Sequence, residues 1–146
     1  MFIFFIYVVS LASITVVPNI MIHSVARTPS IKDINCVPVI NTVKDMAERT
    51  PDNMRNFMLK FWIENIFGNI IMFIPLGIFL PLLYEKFRSV KKVVLFCMCV
   101  SVCIEIIQFL SEFIGTYRSC DIDDIILNIL GGFIGIMLFK KFQETI

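Results

Sequence analysis

The stretch Val93–Ile114, VVLFCMCVSVCIEIIQFLSEFI, decides how the chain is read. It is apolar over the roughly 20 residues that a bilayer crossing needs, yet it carries Glu105 near its centre. An ionisable group at that depth costs on the order of 3 kcal/mol or more, so it must face a partner or a wet cavity and is a functional candidate from the outset. Three further segments are long and apolar enough to span. They are 1–22, with no charged side chain, 61–84, holding only Glu64, and 122–139, which opens with Asp123 and Asp124. Of the 146 residues 58% are hydrophobic and 17% charged, more apolar than a soluble domain of this length can cover with polar surface. The expected architecture is an all-α polytopic membrane protein, a single domain over 1–146 with four transmembrane helices and one long outer loop.

Segment 1–22 is followed by the small pair Ser24 and Ala26, as a signal-peptidase site would be. Its apolar run exceeds a signal core and nothing basic precedes it, which favours a span. Orientation follows the basic residues. The short connection after the second span holds Lys86, Arg88, Lys91 and Lys92 against Glu85 alone, and Lys140 and Lys141 follow the fourth span. Dense positive charge in short connections marks the cytoplasmic side, so both termini are expected inside and residues 23–60 and 115–121 outside. The long loop also carries basic residues, but Asp33, Asp45, Glu48 and Asp52 dilute them. Within it Val39, Val43, Met46 and Ala47 recur at helical spacing, the pattern of a short amphipathic helix lying on the membrane. Thr50 before Pro51 reads as a helix start. That second helix is expected to end near Tyr84 and to kink or open a turn at Pro75, whose ring clashes with the carbonyl of Ile71.

The net charge of +1 gives no pull toward nucleic acid, which is not expected as a partner. Five cysteines and one histidine show no metal-ligand spacing, so neither a metal nor another cofactor is expected. Cys97, Cys99 and Cys103 read as packing groups within a span. Cys36 and Cys120, in the two outer loops, are open to pairing or to remaining free.

Each of the last three spans carries one polar stripe. Asn65 and Asn69 are four residues apart, Glu105 and Gln108 three, and Asp124 and Asn128 four, so each pair shares a helix face. Measured from mid-span, Asn69, Gln108 and Asn128 lie about 5 to 7 Å toward the outside, Asn65 and Asp124 about 11 Å, and Glu105 near the centre. Polar groups at matching depth satisfy one another by facing inward. The expectation is a polar pocket in the outer half of the membrane, lined by Asn65, Asn69, Gln108, Asp124 and Asn128, floored by Glu105, and bordered by Arg118 and Asp121. The amides alone are equally well read as interhelical glue. Glue needs no carboxylate, however, and a buried one must be neutral or matched by a cation such as Arg118 or by a ligand. Asp121, Asp123 and Asp124 also suit a helix start, where carboxylates accept free amides. Gly131, Gly132 and Gly135 read as a close-contact face. Nucleophilic catalysis finds no support, since His23 has no evident serine or cysteine partner.

The residues Asn35–Pro38 (NCVP), Glu64–Leu83 (ENIFGNIIMFIPLGIFLPLL), Glu105–Gln108 (EIIQ), and Arg118 through Asp124 and Asn128 to Gly135 together resemble the VanZ-like family of small bacterial membrane proteins. The resemblance spans most of the chain, the first span being generic, and departs at Val39, where the family commonly has Phe. It implies a four-span protein of the bacterial cell membrane, in whose archetype susceptibility to the lipoglycopeptide teicoplanin is lowered, and it implies no known reaction. The leading expectation is a binding protein whose partner is a membrane lipid, a lipid-linked cell-wall precursor or the glycopeptide drug. An enzyme acting on an envelope lipid with Glu105 or Asp124 as acid/base, and an oligomeric small-solute carrier, stand as alternatives.

Overall fold

The computed structural model describes residues 1–21, 34–35, 52–111 and 120–145. Four helices carry the fold: α1 (Phe2–Met21), α2 (Asp52–Leu83), α3 (Val90–Ser111) and α4 (Ile122–Thr145). A 3-10 turn, Glu85–Phe87, joins α2 to α3. Two short strands, β1 (Ile34–Asn35) and β2 (Cys120–Asp121), pair in parallel, with Ile34 opposite Cys120 and Asn35 opposite Asp121. Three helical segments, Ile63–Leu83, Val90–Ser111 and Ile122–Thr145, are long and apolar enough to cross a membrane, and α1 adds the shorter apolar stretch Phe2–Thr15. The chain is an all-α polytopic membrane protein.

The second helix starts at Asp52, just after Thr50-Pro51, and ends at Leu83, one residue before Tyr84. It is continuous through Pro75 and Pro81, so no turn opens at Pro75. The Tyr7 hydroxyl donates to the Met72 carbonyl at 2.8 Å, beside the Ile71 carbonyl that Pro75 leaves without its usual donor. A neighbouring helix thus supplies a hydrogen bond at the proline-bearing stretch, as backbone polar groups in lipid require. Phe4 and Tyr7 stack against Phe79, each 5.9 Å between ring centroids, and hold α1 to α2. The third helix begins at Val90 and the fourth runs to Thr145, each displaced from the apolar run alone because flanking lysines extend a helix without loss of propensity.

Helix α2 packs most extensively against α4, and glycines permit it. A Cβ on Gly77 would lie against the Gly132 carbonyl oxygen and 2.9 Å from Gly135 Cα, and one on Gly131 or Gly135 would lie against the carbonyl of Ile70 or Ile74. Gly132 faces the Cys97 sulfur of α3 instead. Cys97 is the interior packing thiol expected, whereas Cys99 and Cys103 are exposed on the outside of α3. Cys99 and Cys103, four residues apart, share the outer face, and Cys97 alone of the three points inward. The expected amphipathic helix at 39–47 and Cys36 lie outside the described residues. The thiol of Cys120 is likewise not described, which leaves the Cys36–Cys120 pairing open.

The core is divided by depth. Toward the end that carries Glu85–Ser89, the buried side chains are Phe73, Leu76 and Leu80 of α2, Val93 and Cys97 of α3, and Ile136 of α4. Toward the end that carries the strands, they are Asn69, Ser101, Glu105, Gln108, Ser111, Asp124 and Asn128, with Thr15 of α1 and the apolar Ile104. On α2, α3 and α4 alike the change falls within one turn: Asn69 to Phe73, Ser101 to Cys97, Asn128 to Gly131. Half of the bundle is built as membrane proteins usually are, by close apolar contact, and half is polar.

Candidate functional site in the polar half of the bundle

Asp124 stands in the first turn of α4 with Asp123, a position where the helix dipole favours negative charge. It is buried, and its Oδ1 accepts from Asn69 Nδ2 at 2.6 Å and from Asn65 Nδ2 at 3.2 Å. The four-residue spacing on α2 places both amides on the face toward α4, and two donors converge on one oxygen. Asn128, one turn deeper, donates through Nδ2 to Ser101 Oγ at 2.9 Å. Gln108 Nε2 donates to the Thr15 carbonyl at 3.2 Å, and the Ser111 hydroxyl donates to the Gln108 carbonyl at 2.6 Å. Glu105 is 3% exposed and shares the inward face of α3 with Ser101, one turn below, and Gln108, one turn above.

Two acceptors in this half, Gln108 Oε1 and Asn128 Oδ1, are fully buried with no hydrogen-bond partner among the described residues. Amide orientation is inferred from the network. For Gln108 it is unambiguous, because the Thr15 carbonyl can only accept. A native interior leaves few such groups, and each calls for an explanation.

Of the residues expected at the site, Asn69, Glu105, Gln108, Asp124 and Asn128 are buried in the polar half, while Asn65 is exposed at its edge. Direct contact joins Asn65 and Asn69 to Asp124, whereas Asn128 reaches Ser101 and Gln108 reaches Thr15. The backbone of Asp121 lies in β2 beside Asn35, and its side chain is not described. Arg118 lies outside the described residues. Sequence reasoning missed Thr15, Ser101 and Ser111. The spacing 101–105–108 was an available signal for Ser101; hydroxyls in spans are otherwise too common to stand out. Among the described residues no three His, Cys, Asp or Glu side chains are grouped to hold a metal ion.

Beside the polar half, an open groove of about 480 Å³ runs between α1 and α2. Ile14, Thr15, Glu64, Asn65, Gly68, Asn69, Ile71 and Met72 line it. Among the described residues nothing lies within 4 Å of where a Cβ on Gly68 would stand. Gly68 therefore makes room for no neighbouring helix, unlike Gly77; it faces the groove.

The family model described as VanZ/LLP1 matches residues 4–143, from α1 into the last turns of α4. Protein VanZ of Enterococcus faecium is 32% identical over 87 residues, which cover 60% of this chain and 51% of that protein. The chain thus spans about half the length of the curated relative it matches. No solved structure matches it. Because the family match takes in all four helices and every described residue of the polar half, the chain belongs to the VanZ/LLP1 family.

Proposed function

We propose that the polar half of the bundle faces outward at a bacterial cell membrane. There it holds the polar group of an envelope amphiphile, a lipid, a lipid-linked cell-wall precursor or an acylated glycopeptide, and so lowers susceptibility to lipoglycopeptides such as teicoplanin. The observation that carries this reading is Gln108 Oε1, buried without a hydrogen-bond partner among the described residues, one turn from the buried carboxyl of Glu105. Interhelical glue accounts for Asn69 and for the amide nitrogen of Asn128, each of which meets a side chain on another helix. It does not account for the surplus Gln108 acceptor, whose desolvation a hydrogen-bond donor from a ligand offsets. Membership in the family and likeness to Protein VanZ support the envelope setting.

The test is the teicoplanin inhibitory concentration of a susceptible Gram-positive host expressing the chain, with membrane levels matched to Glu105→Gln and an empty vector as baseline. The expected result is a rise with the wild-type chain that Glu105→Gln loses. No rise with the wild-type chain detaches resistance from this member.

A further inference from the structure

We infer that the groove between α1 and α2 is a lateral docking site for one acyl chain of a membrane amphiphile whose head group is uncharged and rich in hydrogen-bond donors. This rests on the reading of the polar half as a ligand site and gives that site its entrance and its selectivity.

The groove touches the polar half directly. Thr15 and Asn69 line it, and the same two residues are bonded to Gln108 and Asp124. From Glu64 to Met72 it extends about 12 Å along the helix, at 1.5 Å per residue, close to the half-thickness of a bilayer's hydrocarbon core, roughly 15 Å. Ile14, Ile71 and Met72 give it an apolar wall, and Gly68 leaves its floor open. A lipid-facing slot of this depth and lining takes an acyl chain more readily than water, which its apolar wall repels.

The polar rim selects the head group. The Thr15 hydroxyl is engaged with the Leu11 carbonyl at 2.9 Å, and one hydrogen of each of the Asn65 and Asn69 Nδ2 groups with Asp124. The charge that the described lining presents is the Glu64 carboxylate. Lys60 meets Glu64 at 3.7 Å, but both are well exposed and the pair is weak. Hydroxyl or amide hydrogens complement such a rim, and a phosphate at the chain junction is repelled by it.

The experiment is equilibrium binding of radiolabelled monopalmitoylglycerol and of palmitoyl lysophosphatidate to the purified full chain in phosphatidylcholine nanodiscs. These two probes share a chain and differ by a phosphate. Monopalmitoylglycerol is expected to bind about tenfold more tightly, the order of one unscreened charge repulsion near the surface. Gly68→Leu fills the floor, where a Cβ meets no described residue, and is expected to lower that affinity about tenfold with helicity and elution volume unchanged. Glu64→Gln is expected to raise lysophosphatidate binding. If Gly68→Leu fails to accumulate, Ile71→Phe, at a position 60% exposed, narrows the same groove. Equal binding of the two probes, or undiminished binding by the groove-filled variant, overturns the inference. Loss of protection in Glu105→Gln together with undiminished binding in Gly68→Leu sinks the groove alone. Binding as expected with no protection by the wild-type chain sinks the resistance reading alone.

Discussion

Asp124 draws Asn65 and Asn69 onto one oxygen, and the shorter bond, 2.6 Å from Asn69, joins α2 to α4 where the bundle is polar. A hydrogen bond to a charged group contributes about 1.5 to 3 kcal/mol, although bonds between membrane helices measure nearer 0.6 kcal/mol on average. Asn69→Leu is therefore expected to cost about 1 to 2 kcal/mol, since it leaves a buried acceptor short of a donor as well as removing the bond. Asp124→Leu is expected to cost at least as much. The double variant should cost less than the sum, with a coupling above about 0.5 kcal/mol, measured from unfolding midpoints in denaturing detergent. Additive losses would mean that the two residues act through separate partners. Asn69, Gln108 and Asp124 were legible in the sequence because an amide or carboxylate repeating at helical spacing inside an apolar run has few innocent explanations. Thr15 was not, because a lone threonine in a span satisfies itself on its own backbone, as its bond to Leu11 shows.

The glycines of α2 separate contact from vacancy at the scale of the element. Gly77 meets Gly132 and Gly135 of α4 at backbone distance, and Gly68, nine residues earlier on the same helix, meets nothing among the described residues. Alanine in place of glycine gains about 1 kcal/mol of helix propensity where space allows. Gly68→Ala should thus raise the unfolding midpoint slightly. Gly135→Ala should lower stability by about 1 to 3 kcal/mol, because its Cβ enters the Ile74 carbonyl and the overpacked helices must separate. Equal effects of the two would refute the packing assigned to α2 and α4. The close-contact role of Gly131, Gly132 and Gly135 was readable from their spacing. Gly68 was not distinguishable from Gly77, because vacancy depends on where α1 sits, and α1 carries almost no pattern: its apolar residues point all round the helix. The pairing of β1 with β2 was equally hidden, since two-residue strands have no periodicity to read.

For the whole molecule, the depth at which polar core gives way to apolar core also orders the ends of the bundle. The helical, membrane-spanning class and the last three long apolar helices were legible because hydrocarbon tolerates little else. The shared boundary was visible only as three stripes of similar depth until Ser101 and Thr15 completed it. The polar half lies at the strand end, and the opposite end carries Lys86, Arg88, Lys91 and Lys92, with the Lys86 ammonium 5.3 Å from the Phe87 ring and 6.0 Å from that of Tyr84. Phe87 in turn packs edge-on against Phe96 at 5.2 Å, so the basic turn is held to α3 by its own aromatics. Short basic connections stay on the cytoplasmic side, and an outward-opening groove requires that placement. In a background whose native cysteines are replaced, Ser89→Cys is expected to react with an impermeant maleimide only after the membrane is opened, and Tyr117→Cys in intact cells. Labelling of Ser89→Cys in intact cells would invert the molecule, put the polar half in the cytoplasmic leaflet, and leave it out of reach of any drug arriving from outside.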